Sequence, residues 1–338
     1  MRKREDALKF LLYHAREDEL VAVKEWMKLH PDVQVDTNDV PLTEETVELA
    51  KGYDGIVIQQ HIPVDSPKIY QRLHELGIKQ LTLRITGYEI VDLKQAAENH
   101  LVVTNVPAYS PRSVSELVLA HVMKLVRHLG IAQAREAHHD FTWGGLEANE
   151  IHNLTIGIIG AGKIGSAVAR IFKALGSTVI AADPIHRPEL GDTLTYTDHE
   201  TVYKTADIVT MHTPLTAETH HMIDKHVFQM MKPSAFFINA SRGPVVVADD
   251  LVAALEQGEI AGAGIDTIEG DSQIFSQDWS DKNLNNPPLE KLLTMPNVSV
   301  SPHVGFYTDA AVANMVEIAL DDVLTIVQGG KSRHQVTE

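Results

Sequence analysis

The chain has 338 residues, 44% of them hydrophobic, and carries 46 acidic against 29 basic side chains for a formal charge of −17. That length exceeds what a single hydrophobic core usually supports, so two domains are expected, and the charge would repel nucleic-acid phosphates and anionic lipid headgroups, which argues against either as a partner. There is no cysteine, which excludes disulfides, a thiolate nucleophile and cysteine-ligated metal, and fits a reducing cytoplasm. A small anionic substrate would also be repelled at long range, so a site for one needs local positive charge, and at least one buried arginine is expected.

The charged run 1–6 precedes an apolar stretch, 8–13, that is too short for the core of a signal peptide. No later run has the apolar length of a membrane span, so a soluble, cytoplasmic protein is expected. Strand-like and helical segments then alternate at 8–13, 20–29, 55–58, 68–76 and 80–85, with a further strand at 102–106 closed by Pro107. This is the rhythm of βα units and a parallel sheet. Residues 113–129 carry apolar side chains at helical spacing and form the first long helix. A second series opens with the strand 155–159 and continues through strands at 178–182, 208–211, 235–239, 261–265 and 298–300, six in all, which resembles a complete Rossmann set. The last segment, 310–327, is another long helix, and it is expected to return to the N-terminal domain. The fold class is therefore α/β, with two Rossmann-like, doubly wound parallel-sheet domains. The dinucleotide-binding domain, 108–303, is inserted into a substrate domain made of 1–107 and 304–338, and two crossing helices form the hinge. Residues 270–288, rich in Asp, Asn, Ser and Pro, read as a loop.

Gly160-Ala161-Gly162-Lys163-Ile164-Gly165 follows one of these strands and opens the helical run 166–175, the context that makes a GxGxxG fingerprint specific. Gly160 permits the tight turn, Gly162 lets the backbone approach a pyrophosphate, and Gly165 allows close helix–strand packing; the first amides of the helix, at Lys163 and Ile164, face the anion. Asp183 ends the next strand, where a carboxylate can accept from the adenine-ribose hydroxyls and would oppose a 2′-phosphate. NAD is thus favoured over NADP, with Arg187 the one nearby cation.

Three further polar groups stand at strand ends on the ligand-binding side of such a sheet: Arg242 in Asn239-Ala240-Ser241-Arg242-Gly243-Pro244, the acids of Asp266-Thr267-Ile268-Glu269-Gly270-Asp271, and His303 in Ser301-Pro302-His303. With the glycine fingerprint and the run Ala206-Asp207-Ile208-Val209-Thr210-Met211-His212-Thr213-Pro214-Leu215, these motifs occur in the order found in the D-isomer-specific 2-hydroxyacid dehydrogenase family, which nearly the whole chain resembles. Asn105-Val106-Pro107-Ala108-Tyr109-Ser110-Pro111 and Phe306-Tyr307-Thr308 are similar to the D-lactate and D-2-hydroxyisocaproate dehydrogenases of lactic acid bacteria.

The resemblance implies an NAD-dependent oxidoreductase acting on the CH–OH group of a small D-2-hydroxy acid, with D-lactate and pyruvate preferred to bulkier pairs such as those of 2-ketoisocaproate or phenylpyruvate. Arg242 would bind the substrate carboxylate and polarise the keto oxygen, and His303 would exchange the proton. Asp271 would orient His303, with Glu269 the fallback. Asp266 matches the residue near the nicotinamide carboxamide, and Thr213 and Pro214 match the loop over the adenosine and phosphate side. Ala240, Arg242 and His303 belong to the cofactor-lining set as well. Thr86 and Gly87 match the backbone donors for the substrate carboxylate, and Tyr109 and Phe306 would line the pocket. A homodimer is implied too.

The chain departs from the family pattern in two places. Asp271 stands where glutamate is usual, one methylene shorter, and Arg84-Ile85-Thr86-Gly87-Tyr88-Glu89 replaces the common Arg-Asn-Val-Gly-Val-Asp. A formate dehydrogenase of this fold would ordinarily carry glutamine at position 271. A reading from another class, an NAD-sensing corepressor-like scaffold, is opposed by the complete arginine, acid and histidine set. Among the 18 histidines, the pairs His138-His139 and His220-His221 invite a metal. None is expected, because adjacent histidines should diverge and no suitably spaced carboxylates accompany them. Met230, Met231 and Met315 read as core filler.

Overall fold

Five short apolar segments build a first sheet in the computed structural model, which describes residues 7–60 and 62–337 and so leaves the charged run 1–6 outside the described residues. They are β1 (Leu8–Leu12), β2 (Val33–Thr37), β3 (Gly55–Ile58), β4 (Gln80–Leu83) and β5 (Val102–Thr104), all parallel in the order β2-β1-β3-β4-β5. Every residue of β3 and β4 is buried, as befits parallel strands covered on both faces. Helices α1 (Glu19–Leu29), α2 (Pro67–Glu75) and α3 (Leu93–Glu98) connect them. Sequence reading passes over β2, an edge strand that buries Val33 and Val35 but exposes Gln34, so it lacks the continuous apolar run of the central strands.

The buried arginine expected for substrate charge is not Arg242. Among the described residues the fully buried one is Arg84, just past β4. It donates from Nε and Nη2 to the two carboxylate oxygens of Glu19 at 2.8 and 3.0 Å, and from Nη1 and Nη2 to the carbonyls of Tyr13 and His14. Both side chains of the pair have 0% exposure, so this charge is neutralised inside the core.

The second sheet has seven parallel strands: β6 (Thr155–Ile159), β7 (Thr178–Ala182), β8 (Thr195–Tyr196), β9 (Ile208–Met211), β10 (Phe236–Asn239), β11 (Gly262–Ile265) and β12 (Val298–Val300), ordered β12-β11-β10-β9-β6-β7-β8. It has one strand more than the expected six; β8 is a two-residue edge with little to mark it in sequence. Its helices are α4 (Pro111–Val126), α5 (Leu129–Glu136), α6 (Lys163–Ala174), α7 (His199–Thr205), α8 (Lys225–Met230), α9 (Ala248–Glu256) and α10 (Pro287–Thr294). The helix expected over 113–129 is α4, which stops three residues short of the expected end, and after left-handed His128 (φ 52°) a second helix, α5, begins at Leu129. The loop over 270–288 contains one short 3₁₀ turn, Asp271–Gln273, before Pro287 opens α10.

The final helix, α11 (Asp309–Val327), starts at Thr308, whose Oγ1 accepts from Ala311 N, and it packs on β3 and β4 of the first sheet. The chain accordingly divides into one unit of Met1–Ser110 with Tyr307–Glu338, and a second of Pro111–Phe306. Among the described residues no helix is long and apolar enough to cross a membrane.

Candidate active site

In the second sheet the strand order reverses between β6 and β9, and open parallel sheets bind ligands beyond the carboxyl ends of strands at such a point. The glycine turn lies there. Gly160 has φ +92°, and a Cβ on it would stand 2.7 Å from the His212 carbonyl oxygen; one on Gly165 would stand 2.0 Å from the Gly160 carbonyl oxygen. Both positions therefore demand glycine. A Cβ on Gly162, the residue preceding α6, meets nothing within 4 Å, which leaves room over the helix N-terminus for an anion. Asp183 sits beside the turn, accepting from Ala161 N at 2.7 Å and from Ile185 N at 2.7 Å, with Arg187 Nη1 3.6 Å away.

After β9, His212 and Thr213 flank this turn. Burial pushes the His212 imidazole down to about 3, and its Nε2 is 2.9 Å from Thr210 Oγ1. Its Nδ1 and the Thr213 hydroxyl are buried without a protein partner. Unused buried polar atoms beside an open helix N-terminus are what a polar, phosphate-bearing ligand such as NAD would satisfy, so the residues present fit that cofactor. Pro214 follows on an exposed stretch.

A pH dependence of stability follows from His212. Its folded-state value lies below the unfolded value of 6.5, so the unfolded chain binds more protons, and stability is full above that pH and is lost as pH falls below it. The expected loss is about 1.4 kcal/mol per pH unit between pH ~6 and ~4, read from urea midpoints. His212→Gln should flatten that part of the profile; an unaltered slope would remove His212 as its source.

Arg242, Asp271 and His303 follow β10, β11 and β12. Asn239, at the end of β10, shapes the first of these loops: its Nδ2 donates to the carbonyls of Arg242 and Thr267, and its Oδ1 accepts from Ser241 N and Oγ. Ala240 is buried beneath the loop. Half-buried Arg242 donates from Nη1 to the Ser241 carbonyl at 2.8 Å, and among the described residues no carboxylate pairs with it. His303 Nδ1 lies 3.3 Å from Asp271 Oδ2, while Glu269 pairs with His221 instead, at 3.1 Å. His303 is left-handed (φ 55°), and buried Asp266 holds the chain in that shape by accepting from Val304 N, Gly305 N and Ser301 Oγ at 2.9, 3.0 and 2.6 Å.

Asp266 has a support that sequence reading did not single out. His121, buried on α4, reaches Ser299 Oγ through Nδ1 at 2.8 Å and Ser301 Oγ through Nε2 at 3.0 Å. Desolvation lowers its pKa, so the ring is neutral and can both donate and accept. The available signal is a polar residue on the apolar stripe Val114, Val118, Val122 and Leu125 of α4.

The other residues named for substrate lie elsewhere in the chain. Thr86 and Gly87 follow β4 in the first unit, where Thr86 Oγ1 donates to the Val106 carbonyl and Asn105 Nδ2 donates to the Thr86 carbonyl at 2.6 Å. The Tyr109 carbonyl accepts from Asn314 Nδ2 in the same unit, and Phe306 ends the second.

Two premises of the sequence reading of the paired histidines are overturned. The rings of His220 and His221 do not diverge: their centroids are 3.9 Å apart, brought together by the left-handed backbone of His221 (φ 54°). A carboxylate also accompanies them, since Glu269 lies against His221.

Residues 119–305 match the family model of the NAD binding domain of D-isomer specific 2-hydroxyacid dehydrogenases. Over 331 residues the chain is 38% identical to a D-2-hydroxyacid dehydrogenase (NAD(+)) of Clostridioides difficile, covering 97% of this chain and 100% of that one. A solved D-lactate dehydrogenase from Sporolactobacillus sp. is 51% identical with a TM-score of 0.89, over 98% of this chain and 99% of that one. The NAD-complexed D-isomer specific 2-hydroxyacid dehydrogenase of Lactobacillus delbrueckii ssp. bulgaricus is 44% identical with a TM-score of 0.90, over 97% and 100%. A shared glycine turn could arise in many dinucleotide-binding proteins, but a family match over 119–305 together with likeness over 97% of the chain covers both units: the chain belongs to the D-isomer-specific 2-hydroxyacid dehydrogenase family.

Proposed function

We propose that the protein is an NAD-dependent D-lactate dehydrogenase that reduces pyruvate. The observation that carries this reading is the trio at the carboxyl ends of neighbouring strands: Arg242 without a carboxylate partner among the described residues, and His303 backed by Asp271 at 3.3 Å. Arg242 would grip the substrate carboxylate with its planar fork and polarise the keto oxygen. NADH bound on the glycine turn would supply the hydride. Because Nδ1 of His303 faces Asp271, Nε2 is the nitrogen left to protonate the developing alkoxide, and in the oxidative direction it takes the proton back. Asp271 touches neither reactant in this scheme and acts as a positioning residue for the ring. The inserted 108–303 segment would be the NAD-binding domain and the remainder the substrate domain, with Thr86, Gly87, Tyr109 and Phe306 contributing to substrate recognition.

The test is the initial rate of NADH oxidation with pyruvate, 2-ketoisocaproate and phenylpyruvate, with the product's stereochemistry assigned. D-lactate formed at the highest kcat/KM supports the reading, and a preference for a bulky keto acid would replace the substrate but keep the mechanism. NADH binding with no turnover of any 2-keto acid would sink it in favour of a sensing scaffold. Coenzyme choice is checked separately: Asp183→Ala should reduce the preference for NADH over NADPH by about tenfold or more, as one charge-assisted hydrogen-bonding group is lost. An unchanged ratio would leave discrimination to Arg187 or to other groups.

A homodimer forms part of the proposal. Helix α5 has no buried residue, and Phe141 and Trp143 in the segment after it are 70% and 88% exposed. Two large apolar side chains this open within three residues of each other offer a surface that a second copy could cover. Light scattering should give twice the chain mass, and Trp143→Ser should weaken the association. Cytoplasmic residence, where NADH is supplied, completes the reading and is consistent with the lack of cysteine.

A further inference from the structure

We propose that His220, His221 and Glu269 form a binding site for a divalent transition metal of the zinc class, separate from the dinucleotide and keto-acid groups. Their ligand atoms all lie within 4.8 Å of one another, and His221 Nε2 stands 3.1 Å from Glu269 Oε1. Ligands on a tetrahedral zinc ion stand about 3.3 Å apart, given metal–ligand distances of about 2.0–2.1 Å, so one pair is already at ligand spacing. The third ligand comes into range by rotation of the exposed His220 side chain.

Three features favour an ion over a chance cluster. Neighbouring residues seldom bring two imidazoles together, and here, with His221 in the left-handed region, the two rings lie 3.9 Å apart on the side of the chain where Glu269 stands. Both ligand segments are held through their backbones: His220 N donates to the Thr216 carbonyl, His221 N donates to the Pro244 carbonyl at 2.8 Å, and the Glu269 carbonyl accepts from the Asn286 side chain, Nδ2, at 2.9 Å. The site is also accessible, since the side chains of His221 and Glu269 are 39% and 43% exposed. Two imidazoles and one carboxylate suit zinc, nickel or copper rather than magnesium or calcium, which prefer all-oxygen shells. Three protein ligands would leave at least one position for water.

Occupancy would tie the segment after β9 to the loop after β11, two residues before Asp271. None of its three ligands is given a role in the proposed reaction, so it is tested by binding. The chelator-treated full chain is titrated with Zn²⁺ by calorimetry and with Co²⁺ by visible absorption. The expected result is one saturable ion per chain in the micromolar range, with Co²⁺ bands in the visible. Affinity should weaken at least tenfold in His220→Ala, in His221→Asn, which tolerates the left-handed backbone, and in Glu269→Gln, but not in a His138→Ala/His139→Ala control. Zn²⁺ should raise the melting temperature of the wild type and not of the three variants. Millimolar affinity in the wild type, or affinity indifferent to His221→Asn and Glu269→Gln, would overturn the proposal.

Discussion

Replacing Asp271 by Asn is expected to lower kcat/KM for keto-acid reduction by roughly 10²-fold or more, with NADH affinity kept within about twofold. The carboxylate lies 3.3 Å from His303 Nδ1, and its Oδ2 also accepts from Ile268 N, so one oxygen ties the ring to the loop after β11. An amide of the same size keeps the shape, removes the negative charge facing the imidazolium, and can turn its NH₂ toward Nδ1 and favour the wrong tautomer. Asp271→Glu is the informative companion. The extra methylene restores the length usual in the family, and it should match or exceed the native rate by closing the present gap. In the proposed scheme Asp271 acts through His303, so the fall should appear mainly in kcat, with little change in KM for pyruvate. If Asp271→Asn keeps activity within threefold of the native protein, Asp271 has no part in the mechanism.

Arg84→Met should be the most destabilising substitution outside the site. It strands the Glu19 carboxylate in a place of 0% exposure, where Arg16 Nη2 at 3.3 Å is the only other charged group paired with it among the described residues. It also releases the Tyr13 and His14 carbonyls from their donors. Breaking a buried pair by removing one member costs about 3–5 kcal/mol, which corresponds to a melting temperature lower by roughly 10 °C for a unit of this size. The double variant Arg84→Met/Glu19→Leu should recover part of that loss, because the orphaned charge leaves with its partner. A single variant within about 1 kcal/mol of the native protein would show that Glu19 finds another route to solvent or to Arg16.

Much of the candidate site is legible in the sequence because its signals are local. The glycine turn needs a strand, three glycines and a helix in one short stretch, and Gly160 and Gly165 have no room for a Cβ. Asp183 follows at the next strand end, and Arg242, Asp266, Asp271 and His303 recur at later ones, so chain order alone orders them along a parallel sheet. The edges were less legible. β2 and β8 are half-exposed and short, and the break between α4 and α5 depends on one left-handed histidine that carries no distinctive residue type.

The α/β class, the alternation of apolar strands and amphipathic helices, the dinucleotide fingerprint and the strand-end arginine, acid and histidine are all written locally in the sequence. Tertiary structure alone decided which charges meet. Arg84 spends its charge on Glu19, 65 positions away, Glu269 turns to His221 rather than to His303, and His121 braces Asp266 through Ser301 across 180 positions of chain. The physical reason is range. Backbone periodicity and turn geometry are written within one or two turns of chain, whereas a side-chain pairing depends on how separate segments pack, and on which competing partner lies nearer once water has been excluded.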